Sequence, residues 1–154
     1  MRNIFAVLTT LLLVACATTY EQPTLVAPQI TSAVSASKSD ILRVAKQVLV
    51  SEGFQITNSD DSAGIISSAP RNLRVAPTQA NCGTTMGLDY LKDNRTSTRV
   101  AFGIIAEDGK VMVKANIEGE YKPGAVDQDI TLTCVSRGVL ERDLLAKITG
   151  SFSR

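Results

Sequence analysis

Three kinds of pattern run along this chain: one solid apolar run, helical spacing at two places, and strict alternation in the second half. The run extends from Ile4 to Val14 and is broken only by Thr9 and Thr10. Further on, Ile41, Val44, Ala45, Val48 and Leu49 recur at i, i+3 and i+4, with Arg43, Lys46 and Gln47 on the opposite side. Ser37 or Ser39 can cap such a helix, Asp40 complements its positive end, and Gly53 suits the residue after its end. The spacing predicts an amphipathic helix over 40–52. Near the C-terminus Leu140, Leu144 and Ile148, joined by Leu145, predict a second helix, with Ser136 as its cap and Gly150 as its stop.

Between the helices the period changes to two. Phe54 and Ile56, then Ile65 and Ile66, predict short strands over 54–58 and 63–68, separated by the turn-forming stretch 58–62 and closed by Pro70. Residues 98–107 and 110–121 flank Asp108-Gly109, a two-residue hairpin signal. Setting Glu107 opposite Lys110 pairs Ala106 with Val111, Ile104 with Val113, Phe102 with Ala115 and Val100 with Ile117. Each pair is apolar. The other face pairs Gly103 with Lys114, Ala101 with Asn116 and Arg99 with Glu118, so one face is dry and one mostly wet. A slip of one residue destroys this arrangement. After a turn at Pro123-Gly124, Ile130, Leu132 and Cys134 alternate with polar residues and predict another strand.

The predicted fold is α+β: an antiparallel sheet of about five strands, with an N-terminal and a C-terminal helix on one face, helix-grip-like in layout. No repeat of solenoid length is present. The predicted divisions are 1–15, 16–36 and 37–154. In the middle one, Pro23 and Pro28 break any helix, and Leu25, Val26 and Ile30 keep no period, so a flexible tether is expected. Residues 70–97 are long for a connection in a compact domain, and such loops are commonly functional. Asp89, Tyr90 and Arg95 in it are the candidate contact residues, against a bland alternative in which Asp93-Asn94 only turn the chain and Arg95 is a solvated charge.

The N-terminal run has the layout of an export signal: Arg2 ahead of a short apolar stretch and small residues after it. Crossing a hydrocarbon core takes roughly 20 apolar residues in a helix. Leu13-Val14-Ala15-Cys16 resembles the lipobox of bacterial lipoproteins. The resemblance implies removal of 1–15, diacylglycerol on the Cys16 thiol and acylation of the new amino terminus. Ala17, where an Asp tends to retain proteobacterial lipoproteins in the inner membrane, implies the outer membrane. The order of elements also resembles the accessory lipoproteins of the outer-membrane β-barrel assembly machinery, a likeness of layout without a shared motif.

Lipid on Cys16 leaves Cys82 and Cys134, and in an oxidising envelope two remaining thiols pair most simply as a disulfide. The alternative is two independent buried thiols. The spacing is not C-x-x-C, so a redox-active pair is not implied. Loss of Arg2 with the signal takes the 16 Lys and Arg to 15, equal to the 15 Asp and Glu. That balance removes the electrostatic basis for nucleic-acid binding. The absence of His excludes His-based metal sites and triads. Asp60-Asp61 lacks the spacing of a calcium loop, and Gly103 in a strand admits close approach of a neighbour. The expected function is a non-enzymatic, lipid-anchored envelope module without metal or cofactor that binds another envelope protein. The alternative is a carrier of lipid or another apolar molecule between sheet and helices. A hydrolase working through carboxylates is the remaining, weakest option.

Overall fold

The computed structural model describes residues 20–24, 26–124 and 129–152 of the 154. The lipobox and the rest of 1–15 lie outside the described residues. The chain is α+β. Strands β1 (Tyr20–Glu21) and β2 (Ile30–Ala33) precede helix α1 (Lys38–Ser51). Next come β3 (Ile56–Asp60), β4 (Ile65–Ser68), β5 (Arg71–Asn72), β6 (Ala80–Asn81), β7 (Thr84–Thr85) and β8 (Leu88–Asp89). A short 3-10 turn at Tyr90–Lys92 leads to β9 (Thr96–Glu107), β10 (Lys110–Tyr121), β11 (Ile130–Ser136) and α2 (Val139–Gly150).

The β9–β10 hairpin is the frame of the molecule, and its twelve pairs run from Lys110 with Glu107 to Tyr121 with Thr96. Every apolar pair expected from the alternation is in register, including Val113 with Ile104 and Ile117 with Val100. Ile104, Val100, Val111 and Val113 are fully buried. They share one core with Ile41, Ala45 and Leu49 of α1 and Leu144 and Ile148 of α2, so both helices cover the dry face. Each such aliphatic side chain contributes about 1.5–3 kcal/mol by leaving water.

The sheet is larger than the five strands expected. Eight strands form it, in the order β3-β4-β9-β10-β11-β6, with β2 also paired to β10 and β5 to β9. A second sheet holds β1, β7 and β8. The additional strands are mostly two residues long, too short to show a period of two. Two expectations change with them. The segment expected as a free tether contains β1, paired to β7, and β2, paired to β10 over Lys110–Val113. The connection 70–97 holds four short strands and the 3-10 turn.

Both long strands use short pieces to complete their outer edges. β9 takes β4 opposite residues 103–105 and β5 opposite 99–100. β10 takes β2 opposite 110–113 and β11 opposite 117–121. The breaks between pieces leave strand N–H groups without a backbone partner in a dry place, which is costly. Side chains fill them. Phe102 N–H donates to Ser68 Oγ at 2.9 Å, and Ala115 N–H donates to Glu141 Oε1 at 3.2 Å. Glu141, fully buried on α2, also accepts from Ser136 Oγ at 2.7 Å, and Ser136 Oγ in turn accepts from Gly138 N–H. Thr98 Oγ1 accepts from Val75 N–H and donates to the Leu73 carbonyl. Ser68, Thr98, Ser136 and Glu141 are the buried polar residues of the described chain: Ser68 and Glu141 fill the gaps in the sheet, Thr98 holds the segment that follows β5, and Ser136 holds Glu141.

The helix starts differ slightly from expectation. Ser37 caps α1, its Oγ accepting from Asp40 N–H. Ser136 does not cap α2: it ends β11, and the cap position falls to Gly138 in the left-handed region at φ 79°. A Cβ there would lie 2.9 Å from Arg142 and 3.1 Å from Pro28, so glycine lets the helix pack against the segment leading into β2.

Candidate functional site

The open end of the hairpin, where β9 begins and β10 ends, is closed by the small sheet. All three tyrosines of the chain meet there. Tyr90 packs edge-on to Tyr20 at 5.7 Å and to Tyr121 at 4.9 Å between ring centroids. The Tyr20 hydroxyl accepts from Thr133 N–H at 2.9 Å and donates to the Cys82 carbonyl at 3.2 Å. Thr96 Oγ1 donates to the Tyr90 carbonyl at 2.6 Å. These contacts join β1, the 3-10 turn, β9, β10 and β11.

The expected disulfide is present between Cys82 and Cys134, 52 residues apart. It continues the short β6–β11 pairing, in which Val135 faces Asn81. Gly119 is required beneath it: a Cβ there would lie 2.8 Å from Cys134 Sγ and 3.0 Å from Leu132 Cβ. Gly83, at φ 85°, takes the chain from Cys82 into β7, and a Cβ on it would sit 2.3 Å from the Glu21 carbonyl oxygen. The bridge therefore pins the small sheet to the large one.

The three candidate contact residues of this segment are close in space but mostly engaged. Tyr90 is 4% exposed and belongs to the tyrosine cluster, so it is a packing residue. Asp89 caps the 3-10 turn, its Oδ1 accepting from Leu91 N–H at 2.9 Å. Arg95 forms a fork with Asp93, donates to the Pro123 carbonyl and lies over the Tyr121 ring at 4.9 Å. Hydrogen bonds from the Arg95 side chain, then from its backbone N–H, hold the Asp93 carboxyl down to about 2. Burial raises the Tyr121 phenol above its ordinary value. This cluster organises an end of the fold and presents little free chemistry.

Besides the single residues Val26 and Val50, two groups of exposed apolar side chains stand out among the described residues. The first lies on the outer face of the large sheet. Ile65 faces Ile105, and Ile105 faces Met112, making an apolar row across three strands. Ile65 is 38% and Ile105 36% exposed. Beside the row a Cβ on Gly103 would meet nothing within 4 Å. A shallow depression of about 300 Å³ results, rimmed by Gln29, Ser67 and Lys114. The alternation contained this feature: the register that makes the dry face also sets Ile105 opposite Met112 on the wet one. The second feature is the tip of the β7–β8 hairpin, where Met86 is 83% and Leu88 72% exposed.

Where the helices meet the sheet edge, a cleft of about 140 Å³ lies among Phe54, Phe102, Leu73 and Leu144, with Arg71 and Lys147 at its rim. Among the described residues no helix is long and apolar enough to cross a membrane.

No protein-family model matches the chain, and no curated protein sequence matches it. Solved structures similar in part include the following two. One is a DUF4468 family protein from Bacteroides ovatus ATCC 8483, 13% identical, with a TM-score of 0.45 over 68% of this chain and 58% of that one. The other is a TBP-like protein from Parabacteroides distasonis ATCC 8503, 16% identical, with a TM-score of 0.44 over 68% of this chain and 62% of that one. The chain thus spans less than two thirds of either, and nothing about activity follows from the likeness.

Proposed function

We propose that this chain is an envelope lipoprotein, anchored through lipid on Cys16 at the outer membrane and facing the periplasm, that works as a non-enzymatic protein-binding module. The observation that carries the binding role is the outer row Ile65, Ile105 and Met112. A solvated sheet face ordinarily presents polar side chains, and the same face carries Arg99, Lys114, Asn116 and Glu118. An apolar row set among these groups has the anatomy of a small interface: an apolar centre inside a polar rim. The lipobox supports the anchor, and the Cys82–Cys134 bridge suits an oxidising compartment. On this reading the helix-grip-like layout, similar to that of the β-barrel assembly accessory lipoproteins, serves as a rigid back for a sheet that meets its partner face-on.

The carrier reading, in which lipid or another apolar molecule sits between sheet and helices, has less support. The apolar cleft at the helix–sheet junction is about 140 Å³, below the roughly 300 Å³ at which small-molecule pockets begin, and the wider depression of about 450 Å³ along α1 is lined mostly by charged and polar side chains, among them Lys38, Arg43, Lys46 and Asp61.

The test has two arms. Radiolabelled fatty acid enters the wild-type protein and not the Cys16→Ser variant; equal labelling of both refutes the anchor. A photoreactive amino acid at Ile105 forms an adduct with an envelope protein in intact cells, and Met112→Lys abolishes it. The same probe at Arg43 on α1 forms none. An adduct pattern indifferent to position and to Met112→Lys refutes the binding face.

A further inference from the structure

The β7–β8 hairpin departs from the economy of the rest of the fold. Its turn, Met86-Gly87, places both residues in the left-handed region, at φ 48° and 77°. Such turns favour Asn or Asp with Gly because those residues tolerate positive φ. Met86 is the one described non-glycine residue with positive φ. Its side chain does not offset that strain by packing, since it is among the most exposed apolar groups of the described chain. Leu88 stands beside it in the open. One residue back, Thr85 Oγ1 is the described buried side-chain polar atom with no hydrogen-bond partner. Four adjacent residues thus carry three costs that no contact among the described residues offsets. Departures of this kind from local consistency concentrate at sites of function.

The strand pairing says what lies in front of this tip. β1 is antiparallel to β7, with Tyr20 facing Thr85 and Glu21 facing Thr84. The chain therefore enters β1 at the end where β7 turns into β8. Cys16 is four residues upstream of Tyr20. A fully extended chain advances at most about 3.6 Å per residue, so the four residues from Cys16 to Tyr20 span at most about 14 Å. A lipid on that sulfur cannot leave the hairpin far from the headgroups.

We infer that the tip Met86-Gly87-Leu88 enters the headgroup–acyl boundary of the membrane that holds the Cys16 lipid, seating the tyrosine end of the domain on the bilayer. The inference rests on the anchoring reading above. Acyl chains fix the distance and the tip fixes the orientation: a domain held at two points presents one face, the outer sheet face, in a defined direction. Met and Leu suit this task because they add apolar contact at the boundary and carry no charge to desolvate. A lipid surface is favoured over a second copy of the chain because the tip is a narrow turn of two exposed apolar side chains, far from the area a stable dimer needs.

The chain has no Trp, so one introduced indole reports alone. Leu88→Trp is compared with Arg43→Trp, which lies on the first turns of α1 near the Asp108 end of the sheet. Each full-length protein is produced in a lipoprotein-processing host, purified from membranes and reconstituted in phosphatidylethanolamine–phosphatidylglycerol vesicles with or without brominated acyl chains. Mass measurement of the N-terminal peptide establishes the lipid, and alkylation without reductant establishes that Cys82 and Cys134 remain bridged. For insertion to about 5–10 Å, bromine quenches Leu88→Trp at least about twofold more than Arg43→Trp, with a blue shift on vesicle attachment. Adding Met86→Ser to Leu88→Trp reduces the quenching. Equal quenching of the two reporters in a lipidated, bridged protein overturns the inference and leaves the anchor standing. A blue shift in detergent without vesicles, accompanied by a dimer in sedimentation, also overturns it, because a second copy then covers the tip. A Cys16 peptide without lipid overturns the anchor and takes this inference with it.

Discussion

The long hairpin and the small sheet are built on opposite principles. β9 and β10 pair over twelve residues, and their side-chain alternation alone selects the register, since any slip turns Ile104 and Val113 out of the core. β1, β7 and β8 have two residues each and no face of their own to bury. They are positioned from outside, by a disulfide, three tyrosine rings and glycines that admit neighbours at contact distance. Local pattern is enough to specify a structure when it extends over many residues. Where it does not, cross-links and a few long-range contacts replace it, and the region keeps less stability of its own.

The sharpest way to break this contrast is to damage the frame. Ile104 is fully buried and faces Val113. Ile104→Ala is expected to cost about 4 kcal/mol, in the upper part of the range for a buried aliphatic truncation, because residues held in a long ladder collapse poorly into the space. The loss is global. Denaturant unfolding is expected to show one transition moved to lower midpoint with an unchanged slope, and hydrogen exchange to rise in both sheets. A drop of less than about 1 kcal/mol would mean that the hairpin is not the frame.

Opening the bridge acts on the other region. Closing a loop of this length constrains the unfolded chain by about 4 kcal/mol in the chain-entropy model, and measured values commonly fall lower, about 2–4. The Cys82→Ser, Cys134→Ser pair is expected to lose about 3 kcal/mol overall. Its exchange pattern should differ from that of Ile104→Ala: amides of β1, β6, β7 and β8 lose protection first, while the centres of β9 and β10 keep theirs until global unfolding. Uniform loss in both sheets would show that the small sheet is part of the same cooperative unit and not an attachment to it.

The same contrast explains what could be read from the residues beforehand. The hairpin register was legible pair by pair, because each apolar residue on one strand constrains one on the other. Both helices were legible from spacing that repeats over three turns. The β1 and β7 pair was not: Tyr20-Glu21 and Thr84-Thr85 are 63 residues or more apart and too short to show any period, so only tertiary contact reveals them. The tether expectation failed at β2 for a related reason. Ile30 and Thr31 form a strand because β10 has an edge to fill, not because of their own sequence. Tyr90 reads as a contact residue because a lone aromatic in a loop carries no sign of what covers it, and the covering rings of Tyr20 and Tyr121 come from distant strands. Ile105 opposite Met112 follows from the same register, but a lone apolar pair on a wet face becomes a feature only when the neighbouring strand brings Ile65 alongside.

The mildest probe of the comparison is acid. Asp93 belongs to the tyrosine end, where Arg95 holds its carboxyl at about 2, below the ordinary 3.8. Its ionised form is therefore favoured in the folded state. The stabilisation this brings is fully present above about pH 4 and disappears as pH falls toward about 2, because protonation then proceeds in the folded chain as well. Asp40, Asp60 and Asp61 are also held below their ordinary values, by Ser37, Ser62 and Lys46 respectively, but they lie around α1 and the β3–β4 turn. Between about pH 5 and about pH 2.5, wild-type exchange is expected to rise around Tyr90–Thr96, and the rise should be absent from Asp93→Asn, which is already loosened at the higher pH. The Asp93 side chain is only partly buried, so the change should remain local and small beside the two preceding variants. An identical acid response in wild type and Asp93→Asn would remove the Asp93–Arg95 fork from the contacts that hold this end together and leave the rings and the disulfide to do it alone.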